Sequence, residues 1–233
     1  MNSNDYIYTK KYSVNKQHTN KMHGLFKNLT FVVIDVETTG VSRFDRICEI
    51  GMTKITHNRI FDKFETLINP GTMITNTIFH GIEDWMVEDA PPFRDVAKHI
   101  ARFMSGAVLI AHNAPFDMRF MRYELQRMDT DLSHFALCTL KLAKSLHPEF
   151  PYHRLDYLLQ RYGIINEWPH RAGTDADSEA KLFLEMKQIL LSNGLKDLGS
   201  LQTRGLSYNH HWCKKTDIKR SSNLKVLTRD DLM

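Results

Sequence analysis

Thr30-Phe31-Val32-Val33-Ile34-Asp35-Val36-Glu37-Thr38-Thr39-Gly40 is a β-branched, apolar run that ends in two acids spaced by one residue. Residues Thr30–Asp35 have the composition of a central strand buried on both faces. Period-two geometry then sends Asp35 and Glu37 to the same side of the strand's C-terminal end. Two carboxylates buried side by side repel, so such a pair demands either a cation or a proton held well above the ordinary carboxylate range. By itself the pair reads more readily as a strand that has frayed into solvent by Glu37.

Working outward, Ile47–Thr56 and Ile60–Ile68 are two further strand patterns, and the turn-like His57-Asn58-Arg59 between them makes a hairpin. Pro70-Gly71 breaks the sheet. Phe93–Met104 then places Phe93, Val96, Ala97, Ile100 and Phe103 on one helical face after Pro91-Pro92, and Gly106 closes it. Ala107–Ala111 is a short apolar strand. Helices are predicted over Phe116–Met128, Thr139–Leu146, Leu155–Tyr162 and Ala176–Leu191, the last with Ala176, Ala180, Phe183, Lys187 and Leu190 along one side. Three partly antiparallel strands followed by helices interleaved with short strands give a single α/β domain over 29–191.

Composition narrows the class. Of 233 residues, 42% are hydrophobic and 25% charged, enough to bury a core and too apolar for a disordered chain. Apolar stretches fall far short of the ~20 residues of a bilayer span, and the first thirty residues lack the apolar segment of an export signal. Cys48, Cys138 and Cys213 are odd in number and widely spaced, which argues against a disulfide framework or structural zinc and for a reducing, cytoplasmic setting. Charge is unevenly spread: residues 1–28 and 192–233 each carry a net +4, and 29–191 a net −4. Segment 1–28 is expected to be a flexible basic leader and 192–233 a basic extension suited to nucleic acid or a protein partner. His210-His211 near Cys213 lacks partner ligands and sits beside Lys214-Lys215, so it is read as surface.

Two more acids stand where chemistry could use them. Asp117, in Ala111-His112-Asn113-Ala114-Pro115-Phe116-Asp117, falls just past a strand at the start of a helix, where negative charge is favoured. Asp175 opens the last helix five residues after His170, in His170-Arg171-Ala172-Gly173-Thr174-Asp175. Each alone is an ordinary helix-start acid; the order and spacing of the set are the stronger signal.

Asp35-x-Glu37-Thr38-Thr39-Gly40, His112-Asn113-x-x-Phe116-Asp117 and His170-x-x-x-x-Asp175 together resemble the three motifs of the DnaQ-like 3′→5′ exonucleases with four acids and a histidine, the DEDDh group. Arg46-Ile-Cys-Glu-Ile-Gly51, Phe79-His80-Gly81-Ile82 and His153-Arg154-Leu155 are similar to its supporting segments, while Cys138 stands where many relatives have Asp. The resemblance implies a ribonuclease-H-like mixed sheet flanked by helices. It implies that Asp35, Glu37, Asp117 and Asp175 hold two Mg²⁺ or Mn²⁺ ions ~3.5–4 Å apart that clamp a scissile phosphate. His170 is implied as the general base, a role that suits imidazole. Thr38, Thr39, His80 and Phe116 are implied as contacts to the terminal nucleotide. The expected activity is release of nucleoside 5′-monophosphates from single-stranded or frayed DNA 3′ ends, in the manner of the proofreading epsilon subunits of bacterial replicative polymerases. An RNA-directed exonuclease is the alternative within the class, and a non-catalytic polymerase-docking module the alternative outside it. Gln202–Tyr208 loosely resembles a sliding-clamp-binding peptide.

Overall fold

The computed structural model describes residues 25–131, 135–204, 206–208 and 225–226. Its centre is strand β1 (Phe31–Thr38), paired antiparallel with β2 (Ile47–Thr56), which pairs antiparallel with β3 (Arg59–Leu67). On its other side β1 runs parallel to β4 (Val108–Ala111). The short helices α1 (Thr77–His80) and α2 (Asp84–Val87) and the longer α3 (Phe93–Met104) precede β4. Helix α4 (Pro115–Gln126) and strand β5 (Thr130–Asp131) follow, then β6 (Ala136–Cys138), parallel to β4. Helices α5 (Thr139–Leu146), α6 (Leu155–Arg161), α7 (Ala172–Ser192) and α8 (Leu198–Thr203) precede the edge strand β7 (Ser207–Tyr208). The six-stranded mixed sheet has the order β3-β2-β1-β4-β6-β7, and β5 pairs separately with β8 (Lys225–Val226).

The alternation along β1 builds two core layers. Val32, Ile34 and Val36 join Ile100, Met104, Met118 and Phe120 of α3 and α4 on one face of the sheet. Phe31 and Val33 join Leu142, Leu158, Ala176, Ala180 and Phe183 of α5, α6 and α7 on the other. Asp35 and Glu37 continue the second set, so the strand aims both carboxylates at the face covered by α7. Neighbouring β4 pairs with β1 only as far as Val33, which leaves the C-terminal half of β1 held by β2 alone. The gap opened there is where the acids meet.

Packing extends beyond the expected bounds at both ends. Phe26 is buried, and its N–H donates to Lys196 O at 2.9 Å. Leu195, Leu198, Leu201 and Leu206 are buried in the layer under α7, and β7 pairs with β6. The reason is that β6 is otherwise an open edge and the outer side of α7 would otherwise expose leucine-rich surface. Gln202 and Thr203 thus belong to α8, and Ser207-Tyr208 to the sheet edge. Residues 1–24 and most of the expected basic extension, with His210, His211 and Cys213, lie outside the described residues.

Candidate active site

Two glycine-backed contacts and one acid bring the last carboxylate to the first two. Asp35 faces Gly51 across the β1–β2 ladder, and the first turn of α7 lies directly on that glycine. A Cβ at Gly51 would meet Ala172 O at 2.0 Å and Gly173 N at 2.4 Å, so no larger residue fits. One at Gly173 would meet the Glu65 carboxylate of β3. The helix end is pinned there by Glu49, the ladder partner of Glu37. Its Oε2 accepts from Ala172 N at 2.8 Å, and its carboxylate accepts from Arg171 Nε at 3.0 and 3.2 Å. An acid from a distant strand therefore satisfies the helix N-terminus, the place a local cap usually fills.

Carboxylate oxygens of Asp35, Glu37 and Asp175 consequently lie within 4.8 Å of one another. Asp117, buried in the first turn of α4, accepts from its own N–H and from that of Val36. The second of these donors is free because β4 has already parted from β1. Burial, with the charges of Asp117, Glu37, Asp175 and Glu179 around it, holds the Asp35 carboxyl well above the carboxylate range. Burial first, then Asp175, Glu49 and Asp117, push Glu37 up to about 8 against the opposing pull of Arg171. Burial lifts Asp117 to about 8 despite its two backbone donors. Asp175 is raised by burial and restrained by Asn166 and by the His170 N–H. Four acids that resist ionising, three of them with oxygens within 4.8 Å of one another and Asp117 buried beside them, form a donor set suited to a hard divalent cation, which would displace their protons.

A family model described as an exonuclease, RNase T, matches residues 32–183. This chain belongs to that exonuclease family. The PolC-type DNA polymerase III of Bacillus subtilis (strain 168) is 36% identical over 182 residues, which cover 76% of this chain and 13% of that polymerase. The chain thus spans about an eighth of the length of this curated relative. Exonuclease X, solved in complex with 5′ overhanging duplex DNA, shares the fold with a TM-score of 0.57 at 26% identity, over 68% of this chain and 92% of that one. The nuclease domain of 3′hExo, a DEDDh family member solved with bound rAMP, has a TM-score of 0.61 at 18% identity over 70% of this chain and 94% of that one. The chain is accordingly a member of the DnaQ-like exonuclease family with the ribonuclease-H-like fold, and its acid cluster is of a kind that could hold a divalent cation. Among the described residues no helix is long and apolar enough to cross a membrane.

The remaining sequence candidates fall into three groups. His170 lies on the loop before α7 at φ 63°, its N–H donating to Asp175 Oδ2 at 3.1 Å and its side chain exposed. Thr38 and Thr39 are buried beside the acids, but their hydroxyls are committed: Thr38 Oγ1 donates to Gly40 O at 2.7 Å, and Thr39 Oγ1 to Asp45 Oδ1 at 3.1 Å. His80 is likewise buried and uses both ring nitrogens, Nδ1 accepting from Ile82 N at 3.0 Å and Nε2 lying 3.2 Å from Thr38 O. That pairing assigns the neutral Nε2–H tautomer, and burial lowers the imidazole's pKa. His80 is therefore a pin between α1 and β1, while Ile78 and Phe79 beside it stand exposed. Phe116 is half-buried against Phe120, ring centroids 5.0 Å apart, with the Arg119 guanidinium 5.4 Å from its ring.

Several contributors carry no local sequence signal. Glu49 and Arg171 pair across 122 residues of chain. Arg46 forks onto the buried Glu124 of α4 through Nε at 2.7 Å and Nη2 at 2.8 Å, anchoring the loop after β1. Asn166 Nδ2 donates to Asp175 Oδ1, so both oxygens of that acid are held by the loop that carries His170.

Proposed function

We propose that the chain removes nucleoside 5′-monophosphates one at a time from the 3′ ends of single-stranded or frayed DNA, as a proofreading-type exonuclease working with a replicative polymerase. The observation that carries this is the convergence of Asp35, Glu37 and Asp175 oxygens within 4.8 Å beside buried Asp117. The identity with PolC-type polymerases over three quarters of the chain favours DNA and a polymerase partner.

In this reading Asp35, Glu37 and Asp175, with Asp117 beside them, would hold two Mg²⁺ or Mn²⁺ ions. When bound, the two cations neutralise the scissile phosphate and favour departure of the 3′-oxygen. His170 takes the proton of the attacking water; that oxygen bonds to phosphorus, the P–O3′ bond breaks, and the released 3′-oxygen gains a proton from solvent. The His170 N–H on Asp175 ties the base's loop to the acid cluster. Main chain around Thr38-Thr39, the exposed apolar surface of Ile78 and Phe79, and Phe116 receive the terminal nucleotides. A docking module is disfavoured because a fold gains nothing from burying this many acids with no cation to use them.

The test is digestion of 3′-labelled DNA and RNA of one sequence with Mg²⁺, Mn²⁺ or EDTA. Mononucleotides from the 3′ end of single-stranded DNA, block by a 3′-phosphate and silence in EDTA are expected. Faster loss of the RNA would assign an exoribonuclease, and no cleavage of either would leave the docking module.

A further inference from the structure

One buried acid has no part in this scheme. Glu179 stands one helical turn after Asp175 on the inward face of α7, where Ala176, Ala180, Phe183 and Met186 are apolar, and it is 0% exposed. It is aimed from two flanking elements. Thr139 Oγ1, at the start of α5, donates to Glu179 Oε1 at 2.7 Å. That donation spends the hydroxyl's one proton, so the His112 Nδ1 found 2.9 Å from Thr139 Oγ1 must itself donate. The relay His112 Nδ1–H to Thr139 O–H to Glu179 Oε1 thus runs toward the acid and fixes its orientation.

The other oxygen, Oε2, is buried without a well-formed hydrogen bond, though the His112 backbone N–H also acts on the carboxylate. The carboxylate is close enough to Asp117, Asp35 and Asp175 for their charges to act on one another. A structural role would be met by another apolar residue at this position, whereas an aimed carboxylate with so poorly paired an oxygen is costly to bury unless something fills its surroundings. Beyond that N–H, a neighbourhood of acids leaves a proton or a cation to complete the oxygen's surroundings.

We propose that Glu179 is a fifth carboxylate of the metal centre, with Oε2 accepting from the hydration shell of the cation beside Asp117. This rests on the two-cation reading above. It makes Glu179, through Thr139 and His112, a positioning residue for the second ion rather than a group that touches the nucleotide.

The test is Mn²⁺ binding to the full chain without substrate, followed by calorimetry and electron paramagnetic resonance, for wild type, Glu179→Gln and Asp35→Asn. Gln has the size of Glu and still accepts from Thr139. Wild type should bind two ions, Glu179→Gln should keep the affinity of one and weaken the other about tenfold or more, the range for loss of an outer partner, and Asp35→Asn should weaken both. In activity, Glu179→Gln should raise the Mg²⁺ concentration for half-maximal rate by a similar factor, with kcat at saturating Mg²⁺ recovered to within about threefold. Glu179→Met, compatible with the apolar lining of α7, gives the same comparison should the Gln variant fold poorly. Two ions in wild type with both affinities unchanged to within twofold in the Glu179 variants would overturn the role of Glu179 alone. A single ion in wild type, or binding indifferent to Asp35→Asn, would overturn the two-cation reading together with it.

Discussion

Stripping the metal from this site should make the protein acid-loving, an inversion of the usual behaviour of carboxylates. Glu37 has its pKa raised from 4.5 to about 8 by burial and by its acidic neighbours, and Asp117 is lifted to about 8 as well. A carboxyl whose folded pKa lies above its unfolded value binds more protons when folded. Its favourable contribution is therefore full below the unfolded pKa near 4.5 and is lost as pH climbs through the folded value near 8. Each pH unit in that window costs up to ~1.4 kcal/mol per group, so ionising Glu37 alone by pH 8 removes ~4 kcal/mol. The acids share protons, and their contributions are not additive. For a domain of this size ~4 kcal/mol lowers Tm on the order of 10 °C. The assay is thermal unfolding by circular dichroism from pH 5 to 8.5, in EDTA and in millimolar Mn²⁺. In EDTA Tm should fall steadily with rising pH, and Mn²⁺ should restore it by an amount that grows with pH, because cation binding displaces the protons. Asp35→Asn removes the central charge and should raise Tm in EDTA at pH 8 while abolishing much of the Mn²⁺ response. A flat EDTA profile, or a lower Tm for Asp35→Asn in EDTA at pH 8, would refute the electrostatic account of the site.

His170→Asn keeps a residue tolerant of positive φ and should lower kcat by ~10²–10⁴-fold while removing the ascending limb of the pH–rate profile; a loss under about tenfold would leave His170 without a proton-transfer role. Gly51→Ala drives a Cβ to 2.0 Å from Ala172 O, so it should cost ~1–3 kcal/mol or more in denaturant unfolding and depress activity by moving Asp175 from Asp35, and an unchanged midpoint with full activity would contradict the close approach. Lys187, buried with Nζ 2.6 Å from Asn58 Oδ1, has its pKa lowered to about 8 by burial. The folded state disfavours its charged form, so this residue's contribution should improve between pH 8 and ~10.4. The stability difference between wild type and Lys187→Met should therefore grow in favour of wild type across that interval, and a constant difference would discount the shift.

What the sequence revealed was whatever is written locally. Period-two alternation in Phe31–Thr38 and the hairpin at His57-Asn58 announced three adjacent strands, and the repeats of Phe93–Met104 announced a helix. The acids Asp35, Glu37, Asp117 and Asp175 could be picked out because each stands at the end of such an element. Asp117, Asp35, Glu37 and Asp175 do come together, but the reasons are non-local. Helix α7 starts at Ala172 instead of Ala176 because Glu49, far away in the chain, accepts from its first N–H, and because Gly173 is needed for clearance although glycine ordinarily reads as a helix breaker. Nothing in the sequence singles out Glu179, since a lone acid among apolar residues does not reveal which way it faces. The leucines of 195–206 were hidden by the basic character of the segment around them, and their burial depends on a sheet edge whose short strand, Ala136–Cys138, has too few residues to show a period.

The contact between Gly51 and Ala172 has a consequence for how this catalytic centre can drift over evolutionary time. Most spacings in a protein interior are set by side chains, and every exchange of a leucine for a methionine shifts them by some fraction of an ångström. Here the strand bearing the partner of Asp35 and the helix bearing Asp175 touch main chain to main chain, with no rotamer between them. Their separation works as a fixed ruler made of peptide units. Substitutions in the two surrounding core layers can accumulate without changing the gap between the acids, so the chemistry is insulated from the sequence that supports it.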